Sequence, residues 1–440
     1  MITIPSEVVT ELRVAIVSES IRPLELEADL PGRSVYALEL ARHLARLGCE
    51  VDLFVRRIAP GDEKITDIEP NLRLITMAAG PPGPRQRRTL WMIAPQLRDQ
   101  ILRFMLAEGI RYDLIHATTW IAGVAAAEVA RRTELPYTQL LQAPDLSKEH
   151  HLDDENASPP QRVQYEHDFT RQAAGVIARC PHERAHLVEA YRADPQRVAI
   201  IPWGVDLELF RPGDRAQARR YLGLDQTGSI LLHVGRPLAR TGVHDLLRAL
   251  ALLEDQPGGP PQLLLVGGDT REPDAAHNKE VGDLWQLAAE LGVTERVRFV
   301  GRRARQELPA YYAAADVVTS VPWHEPYGQQ VREALACARP VVGTDVGGIA
   351  DVLAGEQMGT LVAPEDPREL AAKLRRLLRS PGLRSRLGRA GRQYAEAELG
   401  WERVAASTAE LFTRVAGVGP APAPQPRSVT TSRRLDAPPA

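Results

Sequence analysis

The sequence predicts an α/β protein of two doubly wound, largely parallel sheets, each belonging to its own Rossmann-like domain. Short β-branched runs alternate with helix-period patterns from one end of the chain to the other. This rhythm stops at Phe210-Arg211-Pro212-Gly213 and then starts again, which indicates a linker between two domains. A chain of 440 residues is long enough for two domains that each bury a core.

The first half of the chain predicts an N-terminal domain over residues 13–208. Its expected strands are Val14–Ser18, Val51–Arg57, Leu72–Met77, Leu114–Ala117, Tyr137–Gln142, Val176–Ala178 and Val198–Pro202. Because helical patterns separate these runs, we expect the strands to be mostly parallel. Residues 1–12 precede the first strand and are expected to be flexible.

The second half predicts a C-terminal domain over residues 214–398. Its expected strands are Ile230–Val234, Leu263–Val266, Val297–Val300, Val317–Val321, Val341–Thr344 and Leu361–Ala363. An amphipathic pattern predicts a last helix within residues 399–416. The tail at residues 417–440 is rich in Pro, Ala, Ser and Arg, so we expect it to be disordered.

Composition and charge argue against several classes of function. A net charge of -3 gives no electrostatic reason to expect a nucleic-acid partner. Cys49, Cys180 and Cys337 are widely spaced in apolar surroundings, which favours buried thiols in a reducing compartment. The sequence shows neither a signal-peptide pattern nor an apolar run of membrane length, so we expect a cytoplasmic location.

A basic loop with Arg85, Arg87 and Arg88 precedes an amphipathic stretch, Leu90–Leu106. Such a pair can dock a helix on anionic lipid. A solvated loop followed by a helix that packs on the core explains the same pattern more simply. Peripheral membrane contact is therefore kept as a minor alternative.

Two carboxylates, Glu325 and Glu333, flank a turn that opens a predicted helix over Gln329–Ala338. The first N–H groups of a helix have no partner within it, so they form an anion site toward the cleft. Glu333, one turn into the helix, can accept hydrogen bonds from neutral hydroxyls such as those of a ribose. A second Gly-rich turn, Gly347-Gly348, follows one strand later. The segment indicates a site for a nucleotide sugar at the carboxyl ends of the strands, between the domains.

Together these segments resemble the large family of retaining glycosyltransferases with the GT-B fold that includes sucrose-phosphate synthase and the mycothiol-pathway glycosyltransferases. The resemblance extends over residues 13–415, and its most specific part is the Glu-x7-Glu motif from Glu325 to Glu333. The other matching segments are Ala334-Leu335-Ala336-Cys337-Ala338-Arg339-Pro340, Val346-Gly347-Gly348-Ile349, Ile201-Pro202-Trp203-Gly204-Val205-Asp206, Val234-Gly235-Arg236 and Tyr112-Asp113-Leu114-Ile115-His116. It implies a GT-B fold whose C-terminal helix crosses back to the N-terminal domain.

The resemblance also implies a role for each residue of the site. Glu333 would bind the donor ribose, Glu325 would face the donor sugar near its anomeric carbon, and Arg236 would neutralise the diphosphate. Backbone N–H groups of the turn would bind the sugar and the phosphates, from Gly328, Gln329 and Gln330. The implied activity is retaining hexosyl transfer from a nucleoside-diphosphate sugar to a small or lipid-linked hydroxyl acceptor, without a metal or another cofactor.

Three positions depart from the family pattern. Gln142 stands where the family has a His, so it can orient a sugar through hydrogen bonds but cannot carry a proton. Thr241 stands where a phosphate-binding Lys is expected, and the neighbouring Arg240 could take over that charge. In the N-terminal turn that approaches the donor, Gly32 keeps one permissive position, while Pro31 replaces a Gly.

These departures leave a second interpretation open: a catalytically weak GT-B protein that binds a nucleotide sugar in a regulatory or scaffolding role. An epimerase or phosphorylase of the same fold fits the sequence around Glu325 less well. A remote alternative is a zinc metallopeptidase, because His182-Glu183-Arg184-Ala185-His186 matches the signature of that class. Against it, Pro181 places the motif at the start of a helix, and no third ligand follows at a suitable spacing.

Overall fold

The computed structural model describes residues 12–19, 32–58, 64–81, 87–141, 161–253, 259–273, 278–325 and 327–417. Within these ranges the strands form two separate sheets, one of eight strands and one of six. The first sheet ends at Ile200 and the second begins at Ile230, so the two lie on either side of the predicted linker. The α/β class with two largely parallel sheets is confirmed.

The N-terminal sheet has the order β3-β4-β2-β1-β5-β6-β7-β8. Its strands are β1 Arg13–Ser18, β2 Glu50–Arg56, β3 Ile65–Glu69, β4 Leu72–Met77, β5 Leu114–Ala117, β6 Tyr137–Leu140, β7 Gly175–Ala178 and β8 Val198–Ile200. The helices around it are α1 Gly32–Arg46, α2 Arg87–Leu90, α3 Ala94–Glu108, α4 Trp120–Thr133, α5 Gln161–Gln172 and α6 Pro181–Glu189. The central strands are buried on both faces, which is why they read as continuous apolar runs.

The C-terminal sheet is parallel throughout and has the order β11-β10-β9-β12-β13-β14. Its strands are β9 Ile230–Val234, β10 Gln262–Val266, β11 Val297–Gly301, β12 Val317–Ser320, β13 Val341–Thr344 and β14 Gly359–Val362. Its helices are α7 Arg215–Leu222, α8 Val243–Ala251, α9 Lys279–Glu290, α10 Leu308–Ala314, α11 Gln329–Ala336, α12 Gly347–Leu353, α13 Pro367–Leu378 and α14 Pro381–Tyr394. The strand order reverses between β9 and β12, and this switch point opens a crevice at their carboxyl ends.

The last helix, α15 Trp401–Ala416, leaves the C-terminal domain and packs on the N-terminal one. Trp401 lies against Tyr36 and His43 of α1, with ring centroids 5.9 and 6.1 Å apart, and Phe412 is fully buried. The helix therefore crosses back, as the resemblance implied. The segment that enters the C-terminal domain and the segment that returns to the N-terminal domain lie side by side. The Val205 N–H donates to the Leu399 carbonyl at 2.7 Å, and Val205 pairs with Gly400.

Other expectations have different outcomes. The three cysteines are buried, and none is part of a disulfide. None of the helices in the described ranges combines the length and apolarity that a membrane span requires. The predicted flexible N-terminus, apart from Leu12, the predicted disordered tail, apart from Gly417, and Arg85 of the basic loop lie outside the described residues. Arg87 and Arg88, predicted to belong to that loop, form the start of helix α2 instead. The domain boundaries stay a prediction.

Candidate active site

The candidate site lies at the switch point, where the loops after β9 and β12 are in backbone contact. Gly242, in the first loop, has φ +72°, and a Cβ there would come within 1.7 Å of the Val321 carbonyl oxygen. The Trp323 N–H also donates to the Arg240 carbonyl at 3.1 Å. The two loops can approach this closely because residue 242 has no side chain.

Glu325 stabilises the turn that opens α11. Its Oε1 accepts the N–H groups of Tyr327 and Gly328, each at 3.1 Å. Its carbonyl oxygen accepts the N–H of Gly348 at the start of α12, at 3.2 Å. Gly328 has φ +75°, a conformation that L side chains rarely adopt. The glutamate is thus held by both Gly-rich turns that the sequence singled out, and both of its described carboxylate hydrogen bonds go to Oε1.

Glu333 is buried inside α11, with a side chain that is 5% exposed. Its Oε1 pairs with Nη1 of Arg305 at 2.9 Å, and its Oε2 accepts the Tyr312 hydroxyl at 3.1 Å. Burial, followed by the charge of Glu333, raises the pKa of Tyr312 well above its usual value, so that hydroxyl remains a donor. Each carboxylate oxygen still has a lone pair with which it can accept a ribose hydroxyl.

Arg236 and Arg240 lie in the loop after β9, which is in backbone contact with the loop that leads to Glu325. Arg236 is exposed and Arg240 is partly buried. Burial, and then the charge of Arg236, lower the pKa of Arg240, whereas the charge of Glu325 raises it. Arg240 is therefore close enough to both Arg236 and Glu325 for their charges to affect its ionisation.

Thr241 is turned into its own loop. Its hydroxyl lies 3.1 Å from the Arg236 carbonyl oxygen and 2.6 Å from that of Leu238. A hydroxyl has one proton, so the two carbonyls share this donor. The side chain at the family's lysine position thus stabilises the loop that carries Arg236 and Arg240.

The remaining predicted residues come from both domains. Gln329 and Gln330 are partly exposed in the first turn of α11, and Nε2 of Gln330 lies 3.8 Å from where a Cβ of Gly235 would be. Gly32 is the first residue of α1 in the N-terminal domain. Gln142 lies outside the described residues. The predicted residues of the C-terminal domain lie in the two contacting loops and in α11, with two differences from the prediction: the Thr241 hydroxyl turns inward, and the Gly328 N–H donates to Oε1 of Glu325 instead of facing a ligand.

Sequence reasoning missed the residues that hold Glu333 in place. Arg305 lies on a short turn before α10, and Tyr312 lies within that helix. Neither belongs to a recognisable motif, and both are distant from Glu333 along the chain. The helical spacing of Tyr312 indicates only that it is buried, which any core residue would share.

Two other histidine-containing segments are structural. His116, in the segment that follows Tyr112, is fully buried, accepts or donates a 2.9 Å hydrogen bond with Thr138, and lies beside the Phe412 ring. Burial lowers its pKa to about 3, so it is neutral at physiological pH. Glu183 of the metallopeptidase-like motif is 1% exposed and pairs with Arg179. Among the described residues, no group of His, Cys, Asp and Glu is arranged to hold a metal ion.

A cavity of about 560 Å³ lies in the N-terminal domain, at the amino ends of β1, β2 and β4. It is lined by the ion pairs Arg13–Glu50 and Arg73–Asp52 and by neighbouring residues. None of the predicted site residues lines it. We place the chemistry at the switch point instead, because ligands of open α/β sheets bind at the carboxyl ends of the strands.

Comparison with known proteins matches both halves of the chain to family models. Residues 32–209 match "Glycosyltransferase Family 4", and residues 214–394 match "Glycosyl transferases group 1". A D-inositol 3-phosphate glycosyltransferase from Frankia alni is 37% identical, over 86% of this chain and 93% of that relative. One from Nocardiopsis dassonvillei is 34% identical, over 91% and 94%. Among solved structures, sucrose-phosphate synthase from Thermosynechococcus elongatus is 29% identical with a TM-score of 0.79, over 92% of this chain and 99% of that one.

Proposed function

This chain belongs to the group 1 glycosyl transferases of glycosyltransferase family 4, and from that membership we propose that its acceptor is an inositol phosphate. It is a retaining glycosyltransferase of the GT-B fold that takes a hexosyl unit from a nucleotide sugar. The acceptor is proposed from the relatives' printed activity, because family membership alone does not determine it. The observation that carries the proposal is the identity of 37% to the Frankia D-inositol 3-phosphate glycosyltransferase over nearly all of that enzyme.

The contacts in the C-terminal domain support a role for each donor-binding residue. Glu333, held by Arg305 and Tyr312, would accept the ribose hydroxyls. Arg236 and Arg240, together with the first N–H groups of α11, would take up the negative charge that grows on the departing diphosphate. That charge stabilisation comes from the chain itself, so the proposed reaction needs no metal.

The proposed reaction replaces one bond to the anomeric carbon by another on the same face of the sugar. The bond from the anomeric carbon to the diphosphate oxygen breaks, and the electron pair leaves with the diphosphate. A hydroxyl of the inositol phosphate forms the new bond, and its proton goes to the leaving phosphate. Glu325 faces the sugar and stabilises the positive charge that develops there. The expected cytoplasmic location, where the donor and the acceptor would meet, is part of this proposal.

Activity on D-inositol 3-phosphate tests the acceptor. We expect transfer from one member of a panel of UDP-, GDP-, ADP- and dTDP-sugars, measured as released nucleoside diphosphate and as glycosylated product. Unphosphorylated inositol and hexose phosphates serve as controls, and we expect them to react poorly. Transfer to a hexose phosphate but not to the inositol phosphate would overturn the proposed acceptor.

Two substitutions test the residue roles. Glu333→Ala should weaken donor binding by about 10- to 100-fold, because hydrogen bonds to a carboxylate are lost. Glu325→Ala should chiefly lower turnover at saturating donor. Isothermal titration measures the first effect and initial rates measure the second. If both variants behave like the wild-type enzyme, the site assignment is wrong; if donors stabilise the protein without any transfer, the binding-only alternative gains support.

A further inference from the structure

Arg179, in the N-terminal domain, lies between two aromatic rings. It follows β7 and is 7% exposed. The centre of its guanidinium lies 4.8 Å from the ring centroid of Trp203 and 5.0 Å from that of Tyr327, which belongs to the C-terminal domain. Glu183 pairs with its other edge at 3.0 Å. A cation that is desolvated between rings and also paired is held firmly.

Tyr327 connects this cation to Glu325. Its ring is 2% exposed, and its hydroxyl donates to the Trp203 carbonyl oxygen, across the domain boundary, at 2.8 Å. Its N–H donates to Oε1 of Glu325 at 3.1 Å. Arg332 covers the ring at 3.7 Å and also donates to the Tyr327 carbonyl oxygen. One residue thus contacts both the N-terminal domain and the glutamate of the candidate site.

A second connection starts from the same N-terminal segment. The His182 N–H donates to Oδ2 of Asp351, on α12, at 2.8 Å. Gly348 of the same helix donates its N–H to the Glu325 carbonyl oxygen. The segment Arg179–Glu183 therefore contacts both elements that hold Glu325: the Tyr327 turn and the start of α12.

We propose that Arg179 and Tyr327 are positioning residues that make the orientation of Glu325 depend on the docking of the two domains. The inference rests on the proposed role of Glu325 in the reaction. When the domains separate, the Tyr327 hydroxyl loses the Trp203 carbonyl and its ring loses Arg179. The turn that holds Oε1 of Glu325 then loses its anchor on the N-terminal domain, and the carboxylate leaves its productive position.

This dependence has a chemical purpose. Water can attack the anomeric carbon whenever a donor is bound in an open cleft, which would waste the nucleotide sugar. An enzyme that completes its site only after closure limits this side reaction. The segment Arg179–Glu183, whose last two residues begin the metallopeptidase-like motif, would thus link the closed arrangement to the reaction.

Tyr327→Phe tests the inference because it removes one hydroxyl and keeps the ring. We expect kcat, for transfer and for donor hydrolysis, to fall about five- to tenfold, as the loss of one partly buried hydrogen bond allows. We expect the donor Kd to change by less than about twofold. Arg179→Lys keeps the charge beside Glu183 but loses the planar stacking on the two rings. We therefore expect a larger fall in kcat, again with little change in the donor Kd.

His182→Ala is the matched control, because its exposed side chain lies in the same segment while only its backbone N–H makes the contact. It should behave like the wild-type enzyme. Wild-type kcat in Tyr327→Phe would overturn the inference, as would equal losses of kcat and donor binding accompanied by a lowered Tm. Glu325→Gln separates the two proposals: if it leaves donor hydrolysis unchanged, the role of Glu325 fails; if it lowers hydrolysis while Tyr327→Phe does not, the inference alone fails.

Discussion

The loop after β9 shows how neighbouring side chains divide two tasks. Arg240 is partly buried; burial and then the charge of Arg236 lower its pKa, whereas the charge of Glu325 raises it. Thr241, one residue later, uses its hydroxyl on carbonyl oxygens of the same loop. We infer that Arg240 supplies charge to the proposed donor site, whereas Thr241 stabilises its own loop.

This division predicts opposite effects for two neighbouring substitutions. Arg240→Gln should weaken donor binding by about tenfold, because one charge-assisted contact to the diphosphate is lost, while the free energy of unfolding changes little. Thr241→Val should instead lower the free energy of unfolding by about 1 kcal/mol with a smaller effect on the donor. Donor titration and urea unfolding of both variants measure the two quantities. Equal donor affinity in Arg240→Gln and the wild-type protein would contradict the assignment.

At this scale the sequence predicted the residues with a motif and missed those without one. Glu325 and Glu333 could be found because their spacing and turn residues are contiguous in the chain. Arg305 and Tyr312 could not, because they reach Glu333 only after the sheet has brought β11, α10 and α11 together. The sequence likewise could not show that Thr241 turns inward, since this depends on the path of the loop.

At the scale of elements, the contact between the loops after β9 and β12 depends on a glycine. Gly242 approaches the Val321 carbonyl oxygen so closely that a Cβ would overlap with it. Gly223, which ends α7, has a similar φ of +62° but no atom within 4 Å of where a Cβ would be. The two positions therefore separate backbone strain from steric overlap.

Alanine at these positions should give different losses of stability. Gly223→Ala should cost about 1 kcal/mol, the strain of a left-handed residue. Gly242→Ala should cost clearly more and should also reduce donor binding, because the loop must move away from Val321 and carry Arg236 and Arg240 with it. Denaturant unfolding and donor titration measure both. Similar losses of stability in the two variants would show that the overlap is relieved easily.

Most strands were predictable because buried parallel strands are short apolar runs. The exception is β3, which the sequence prediction missed. It pairs antiparallel with β4 at the edge of the sheet, and its residues are exposed or only partly buried. An edge strand of this kind has no apolar run, so the composition of Ile65–Glu69 resembles a loop. Some predicted ends also differ slightly from the observed ones. For α11 the sequence predicted an end at Ala338, and the helix ends at Ala336.

At the scale of the whole molecule, the N-terminal domain is completed by a helix from the far end of the chain. Trp401 of α15 is 4% exposed and lies over Gly204, where a Cβ would come within 2.2 Å of the indole. The amphipathic pattern predicted this helix, but its partner followed only from the family resemblance. No periodicity in the sequence says against which domain an apolar helix face will pack.

Trp401→Ala should therefore destabilise the protein by about 3–5 kcal/mol, the usual cost of removing a buried large aromatic side chain. Arg403→Ala, on the exposed face of the same helix, should change the free energy of unfolding by less than about 0.5 kcal/mol. Thermal and chemical unfolding of both variants, followed by far-ultraviolet circular dichroism, measure this difference. Equal stabilities would show that α15 contributes little to the N-terminal domain.

The pairing of Val205 with Gly400 also determines how the two domains can move. The chain passes between them twice, and the two passages are hydrogen-bonded side by side. A single linker would let the two domains rotate about several axes, whereas two linker segments joined by hydrogen bonds act as a hinge. We expect opening of the cleft to be mainly a rotation about an axis near this pair, so that each closure brings the same two surfaces back together.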